Sequence, residues 1–436
     1  MKKQIFKALM FLIILYGAVQ AQDKKVLSVD DCINIGLEKN KSIGISKTKI
    51  DISKAKVKEL NTQLLPTLKL NANYTRLSAI DPFTIMGMTV SPSILNNYTS
   101  KITFAQPLFT GFRLGSNLEM SEYNALATEK DFNKDKVQLI YDIKNAYWNL
   151  YRAMEVRKVV AQNIDQISIH LNDIENFFKH GLTTNNEVLK VKVQLSNAEL
   201  AAIDADNNIQ MSMMSLNNLL GLPINTEIEL KTIAEAKRTD IPDPDKLVKR
   251  ALENRSEIKG MEYRIKSTES AIKLARSGWY PQISLMANYY YSRPNQRIFP
   301  TKDEFKGTWD LGLNLSFDIW NWRVTSYQTE QTKVSLEQTK LTLGQIQDGI
   351  VLEVNQSYLT AIKNLEKIRI SEQTVKQAEE NMRVTYEKFK SGLVVNSDVI
   401  DAEVSLFQSN INYTTSLVDY ILSLTKLEKA IESNIK

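Results

Sequence analysis

Apolar residues recur along much of the chain at alternating steps of three and four. Val188, Val191, Leu195, Ala198, Ala202, Ala205 and Ile209 form one series. Val399, Ala402, Leu406, Ser409, Tyr413, Ser416, Tyr420, Ser423, Leu427 and Ala430 form another. Val160, Ile164, Ile167, Leu171, Ile174 and Phe178 keep the same stride, as do Val351, Val354, Tyr358, Ala361, Leu365 and Ile368. A 3.5-residue period sustained over many turns holds one narrow seam against neighbouring helices, which is coiled-coil packing. These seams are rich in Ala, Ser and Thr, small enough for close lateral approach, while most other faces are polar. Neither Pro nor Gly occurs from Ser116 to His180, so about 65 residues are predicted to form one helix of roughly 100 Å. No compact globular core needs such a rod.

Four other stretches alternate with a period of two. Leu68, Leu70, Ala72 and Tyr74 interleave with Lys69, Asn71, Asn73 and Thr75, and Ile102 and Phe104 with Lys101 and Thr103. Further on, Ile283, Leu285, Ala287, Tyr289 and Tyr291 make a third run. Trp309, Leu311, Leu313, Leu315 and Phe317 alternate with Asp310, Gly312, Asn314, Ser316 and Asp318 in a fourth. Runs of about 9–11 residues with aromatics at one end have the length and girdle of membrane-spanning β-strands. A soluble antiparallel sheet with one wet face would alternate in the same way, so this pattern alone does not choose between them.

The plan is written twice. Residues 137–220 overlay 348–431 at a constant offset of 211, placing Phe178-Lys179-His180-Gly181-Leu182 on Phe389-Lys390-Ser391-Gly392-Leu393. Upstream the offset is 215, with Leu37-Glu38 on Leu252-Glu253 and Pro66 on Pro281. The change in offset falls between Arg76 and Tyr98, which is therefore expected to be a loop. Gly221 to Asp245, with Pro223, Pro242 and Pro244, joins the copies. A period of about 200 residues is a duplicated domain, not a solenoid repeat. Each copy reads helix, strand, strand, helix, helix. Pro66, Pro107 and Pro281 are expected where strand meets helix, since proline fixes φ and removes a donor; the fourth junction has Asp318 instead.

Met1 to Ala21 carries Lys2, Lys3 and Lys7, an apolar stretch from Ala8 to Tyr16 and a small-residue Val19-Gln20-Ala21 end, the layout of a secretory signal peptide. Its apolar stretch is too short for a membrane anchor, which needs about 20 residues. The expected organisation is thus 1–21 signal peptide, 22–222 first repeat and 223–436 second repeat. Lys+Arg 55 against Asp+Glu 50 gives a net charge of +5, spread without a basic block, so no nucleic-acid partner is expected. One cysteine excludes an intrachain disulfide and two histidines exclude His-rich metal chemistry. Cys32 reads as a small buried apolar residue. The export signal and the absence of disulfides favour the outer membrane for the alternating strands.

Four strands cannot stand alone in lipid, because open edges leave backbone groups unpaired where no water reaches. Closure requires several chains. Two copies would give eight strands, barely room for packed side chains, and three would give twelve, enough for a lumen.

The leader, the duplicated plan and the two Phe-Lys-x-Gly-Leu turns resemble the TolC-like outer membrane efflux proteins, as does Ser397-Asp398-Val399-Ile400-Asp401-Ala402 after the second turn. The resemblance spans essentially the whole mature chain. It implies a homotrimer in the outer membrane of a Gram-negative bacterium, a membrane β-barrel of twelve strands plus a periplasmic α-helical barrel of twelve helices. It also implies an exit duct for a tripartite efflux or type I secretion system. The partners would be a periplasmic adaptor and an inner-membrane transporter of RND or ABC type, with no cofactor, no metal and no catalytic residues.

By the same resemblance Gly181, Leu182, Thr183, Gly392 and Leu393 would form adaptor-docking tips, the glycines ending one helix before the next begins. Asp398 and Asp401 match the acidic rings of the constricted periplasmic entrance, where like charges repel, bind cations and favour cationic passengers. Acidic residues in a helix's first turn also stabilise its dipole, a role that suits Glu187 equally. The polar Tyr and Arg that lock neighbouring helices in the family's closed state are replaced by Phe389 and Val394, so that lock does not carry over. Leu77–Asn97 and Ser292–Gly307 would face outside the cell. A rival reading is an exported coiled-coil structural or adaptor protein, which would need no paired strands of membrane length. His170 and His180 form no HExxH-like arrangement, and no GxSxG, P-loop or GxGxxG motif with strand-to-helix context occurs, so an enzyme is not expected.

Overall fold

The structure, a computed structural model, describes residues 25–90, 94–234, 240–295, 297 and 301–433. The expected leader, Met1–Ala21, lies outside the described residues. In chain order the elements are β1 (Lys25–Leu27), α1 (Val29–Lys39), α2 (Lys41–Thr62), β2 (Thr67–Arg76), β3 (Phe83–Ile85), β4 (Met88–Val90) and β5 (Asn96–Phe109). There follow α3 (Arg113–Lys179), α4 (Asn185–Leu220), β6 (Ile228–Leu230), α5 (Pro244–Asn254), α6 (Ser256–Arg276), β7 (Gln282–Arg293), β8 (Lys306–Ser316), α7 (Val324–Lys390) and α8 (Asn396–Ile431). The duplication survives to the residue: α3 and α7 each have 67 residues, and α4 and α8 each have 36.

The chain divides into two compact units. One comprises Met1–Lys47, Phe132–Ser256 and Gln347–Lys436. Its seams pack as the heptads predict: Val188, Val191, Ala198, Ala202 and Ala205 are buried on α4, and Val399, Ala402, Leu406, Tyr420, Leu427 and Ala430 on α8. A core holding Cys32, Ile143, Tyr147, Leu216 and Val418 lies under the parallel pair β1–β6. The Tyr147 hydroxyl donates to the Leu27 carbonyl at 3.2 Å and accepts from the Thr232 N–H at 3.0 Å, tying this small sheet to α3. Burial, then the Asp31 charge, push the Cys32 thiol up to about 12, which keeps it an uncharged core side chain.

The first helix of each repeat is split, a feature the periodicity does not reveal. Asn40 and Arg255, equivalent positions, both leave helical backbone, with ψ at 125° and 128°, and end α1 and α5. Asn40 Oδ1 then accepts from the Ser42 N–H at 2.8 Å, capping α2. At α6 the cap comes from Glu432, whose carboxylate accepts from both the Ser256 N–H and its hydroxyl.

The other unit comprises Thr48–Asp131 and Glu257–Ile346 and holds the antiparallel sheet β2-β5-β7-β8. The register puts Leu70, Ile102, Tyr289 and Trp309 on one rung and Asn71, Lys101, Tyr290 and Thr308 on the next. Alternation therefore makes one continuous apolar face and one polar face.

Several expectations are corrected here. Phe178 leaves the α3 seam and is exposed, while Phe177 packs against the core. A step of three from Ile174 reaches the buried side at this helix end, whereas the step of four overshoots it. Leu77–Asn97 is not all loop: it contains the β3–β4 hairpin, and β5 already begins at Asn96. Ser292 and Arg293 end β7, and Lys306 and Gly307 open β8. Pro66 and Pro281 do precede β2 and β7, but Pro107 lies inside β5, where the register with β7 shifts. The strand-to-helix turns are made instead by consecutive left-handed residues, Gly111 and Phe112 in the first repeat, Trp322 and Arg323 in the second. Thus the junction after Asp318 needs no proline.

At Gly111 the left-handed φ coincides with crowding, since a Cβ would lie 2.6 Å from the Ser277 carbonyl oxygen and 2.8 Å from Tyr280 Cβ. Gly111→Ala is expected to destabilise the protein by about 2 kcal/mol. Gly312→Ala, whose Cβ meets open space, should cost little. Thermal unfolding midpoints of the detergent-solubilised variants check this pair.

Candidate functional site

Two regions concentrate features that packing alone does not require. The first is the pair of turns joining α3 to α4 and α7 to α8. In each, a glycine at left-handed φ ends the helix, Gly181 at 75° and Gly392 at 72°. The Leu182 N–H returns to the Phe177 carbonyl at 2.9 Å and the Gly181 N–H to Phe178 at 3.0 Å. Leu393 and Gly392 do the same towards Lys388 and Phe389, each at 2.9 Å. These paired bonds satisfy the last carbonyls of the helix and throw the next residue outwards. Leu182 and Leu393 are accordingly 74% and 75% exposed, although apolar. Thr183 is half-buried beside them. A groove between the turns is lined by Phe177, Leu182, Glu187, Phe389 and Val394.

Asp398 and Asp401 sit in the opening turns of α8, both exposed. The structure distinguishes them. Asp398 Oδ2 accepts from the Val395 N–H at 3.2 Å and so caps the helix, while Asp401 lies past the first turn, where no capping role exists. Glu187 on α4 is half-buried and spoken for: its carboxylate accepts from Lys190 at 2.8 Å and from Asn396 Nδ2 at 2.9 Å. Those two donors hold it below the usual carboxylate range. The bond to Asn396 also joins the first repeat to the second.

Sequence reasoning missed a second, buried junction between the repeats. His170 Nδ1 lies 3.1 Å from Glu403 Oε1 with both side chains fully buried, and Gln194 Nε2 donates to Glu403 Oε2 at 3.0 Å. The His170 ring packs edge-on against Tyr386 and Phe389. The Tyr386 hydroxyl donates to Asp173 Oδ2 at 2.7 Å, and burial followed by that carboxylate raises the phenol above its ordinary range. Helices α3, α4, α7 and α8 all contribute. A signal existed, because His170 stands three residues after Ile167 and four before Ile174, on the seam itself. Phe389 and Val394 belong to the apolar packing around this junction.

The second region is the sheet. Its apolar face presents Leu68, Leu70, Leu311, Leu313 and Leu315 to the surroundings. Aromatic clusters bracket it. Tyr74, Tyr98, Tyr291 and Phe305 pack ring against ring at the loop end, with Tyr291 and Phe305 stacked, and Phe109, Phe112 and Tyr280 meet edge-on at the helix end. On the polar face Thr103 donates to Asn288 at 2.9 Å and Asn288 to Asp310 at 2.7 Å. A face that is apolar and open to the outside, flanked by two aromatic bands, matches a lipid-contacting wall. Among the described residues, β2 and β8 have no strand on their outer edges. Among those residues no helix is long and apolar enough to cross a membrane, and no group of three or more His, Cys, Asp or Glu is placed to hold a metal ion.

Comparison with known proteins agrees with this geometry. TolC of Vibrio cholerae is 22% identical over 84% of this chain and 82% of its own length. The alkaline protease secretion protein AprF of Pseudomonas aeruginosa is 20% identical over 84% and 76%. Among solved structures, VceC of Vibrio cholerae superposes with a TM-score of 0.79 at 16% identity, covering 94% of this chain and 97% of that one. The CmeC channel of Campylobacter jejuni gives 0.80 at 14%, covering 92% and 85%. The fold is that of these outer-membrane channels, with strands for a β-barrel and helices for a helical tunnel. Residues 33–222 and 247–432 each match the family described as outer membrane efflux protein, and over that span, both repeats included, the chain belongs to it.

Proposed function

We propose that three copies of this chain complete the outer membrane exit duct, and that its helical turns receive a periplasmic adaptor. The duct itself lies in the outer membrane of a Gram-negative cell and carries small molecules or proteins outwards. The observation that carries the trimer is the open sheet. Strands β2 and β8 run in opposite directions, so β8 of one copy can pair antiparallel with β2 of the next without breaking the alternation. The polar face favours three copies over two. An eight-stranded barrel would press Lys69, Lys101 and Lys306 into a packed interior, whereas twelve strands leave a hydrated lumen.

The helices supply a second argument. Leu189, Val193, Leu200, Ile203 and Met211 make an exposed stripe on α4, away from its buried seam, and Leu352, Leu359, Ile362 and Ile370 another on α7. Stripes at heptad spacing left in water call for helices of another copy. The division into 22–222 and 223–436 follows the same doubled plan, each repeat giving two strands and the helix pair α3–α4 or α7–α8.

The adaptor reading rests on the exposed Leu182 and Leu393, held outwards by the turns at Gly181-Leu182-Thr183 and Gly392-Leu393. Such an adaptor would couple the duct to an inner-membrane transporter of RND or ABC type. At the entrance, Asp401 and Asp398 from three copies would bring six carboxylates near one axis. Asp401 has no local structural duty, and this favours the charged ring there over a purely capping role.

Purified protein should show a trimer mass by light scattering and discrete conductance in planar bilayers; a water-soluble single chain with no pore overturns the reading. Leu313→Arg on the apolar face should cost about 2–4 kcal/mol and reduce outer-membrane assembly, while Asn314→Arg on the other face should assemble normally, read by membrane fractionation. Asp398→Asn/Asp401→Asn should lower cation selectivity and divalent block in the same bilayers. Leu182→Asp/Leu393→Asp should reduce co-purification of the adaptor, with trimer yield unchanged.

A further inference from the structure

We propose that the sheet's polar face makes the barrel lumen a binding and selectivity site for multivalent organic anions. The inference rests on the reading that closed copies turn this face inwards. The strands sort their charges by face. Lys69, Lys101, Lys306 and Asp310 all project from the polar face, and the apolar face has only Arg76 and Arg293, both at its loop end. There Arg293 is paired with Asp303 at 2.8 Å.

On the polar face the three lysines occupy three successive rungs. Lys69 shares a rung with Thr103, Asn288 and Asp310, Lys101 with Asn71, Tyr290 and Thr308, and Lys306 with Asn73, Thr99 and Ser292. Same-face rungs are about 7 Å apart, so the three ammonium groups span a band of roughly 14 Å.

The one carboxylate of this face does not neutralise them. Asp310 accepts from Asn288 at 2.7 Å and from the Arg297 guanidinium at 2.8 Å, and Arg297 also donates to the Trp309 carbonyl at 3.0 Å. Arg297 is thus the counter-charge of Asp310. Lys101 stands 5.2 Å over the Tyr290 ring and Arg297 5.5 Å from the same ring, a contact that orients cations without cancelling their charge. Among the described residues, Lys69, Lys101 and Lys306 have no carboxylate partner.

Three uncompensated cations per copy become nine around a closed lumen. The Debye length at physiological salt is about 8 Å, comparable to the rung spacing, so the fields of the three rings overlap. Rings of lysine in a water-filled pore concentrate and hold anions, most strongly those with several charges that bridge rings. The ligand class this favours within the barrel, a stretch of the duct distinct from the acidic entrance, is organic molecules bearing two or more carboxylates, phosphates or sulfates.

The test uses the full-length protein in planar bilayers with inositol hexakisphosphate added on the side of the strand-connecting loops. In about 0.1 M KCl it should block current in a voltage-dependent way, and the block should vanish near 1 M KCl, where screening shortens to about 3 Å. Lys69→Gln/Lys101→Gln/Lys306→Gln should retain conductance and weaken the apparent affinity of block by roughly tenfold or more. Neutral myo-inositol should block neither. An unblocked wild-type pore, or a triple variant blocked as strongly as wild type, overturns the inference while leaving the closed duct standing. A preparation with no pore at all overturns the duct reading and this inference with it.

Discussion

Every backbone N–H and C=O placed in lipid must find a partner, and in this chain the sheet cannot satisfy that rule by itself. Four strands pair internally through three ladders, and among the described residues the outer edges of β2 and β8 stay open. An aqueous sheet would tolerate those edges with water. A sheet whose outward face is Leu68, Leu70, Leu311, Leu313 and Leu315 has no water on that side. The polypeptide is therefore a segment of wall, and its sequence must encode a fit to copies of itself as well as its own fold. Much of what looks unfinished in the single chain follows from this. The exposed apolar stripes on α4 and α7 and the strand edges open among the described residues are unfavourable in a monomer, and each finds a partner once the wall closes.

Duplication gives the protomer its regularity, and departures from symmetry give it individuality. Both repeats turn from strand to helix on two successive left-handed residues, yet the first uses Gly111 and Phe112 and the second Trp322 and Arg323. Only in the first does a Cβ collide with neighbouring backbone, so only there is glycine demanded. At the ends of α4 and α8 the same substitution occurs, Gly221 against Glu432, both left-handed. Glu432 bears the strain of that conformation, about 1 kcal/mol or more, and its carboxylate caps Ser256 at the start of α6. A side chain that glycine lacks thus offsets a backbone cost that glycine avoids.

The long helices, the doubled plan, the four strands and their two faces were legible in sequence because each is periodic over many residues. What was not legible is what interrupts a period. The breaks at Asn40 and Arg255 occur within polar, helix-compatible sequence and depend on tertiary partners, Leu219 for one and Glu353 for the other. Proline's fixed φ and missing donor point Pro107 to a junction, but it sits at a register shift inside β5, where the missing donor is tolerated. The stride puts Phe178 on the seam because a heptad count cannot tell a step of three from a step of four at a helix end. The acidic residues after the second turn are readable as types, but only the folded turn separates Asp398, which caps, from Asp401, which does not.

The buried contacts between repeats show why the turns hold their positions. The tip core of Ile167, Ile174, Val188, Val191, Phe389 and Val399 is apolar, and burying such side chains gives non-directional attraction that permits sliding of one helix pair on another. Hydrogen bonds do not permit it. Glu403 has one carboxylate oxygen facing His170 and the other accepting from Gln194, while Asn396 reaches Glu187 across the same boundary. Removing one partner leaves a fully buried polar group without its hydrogen bond, which costs about 1–3 kcal/mol because that group cannot regain water. The register of the two helix pairs is therefore fixed by a few directional contacts within a permissive apolar seam. That combination suits a protein whose helices must pack laterally against identical neighbours: small seam residues allow many arrangements, and the buried polar atoms select one.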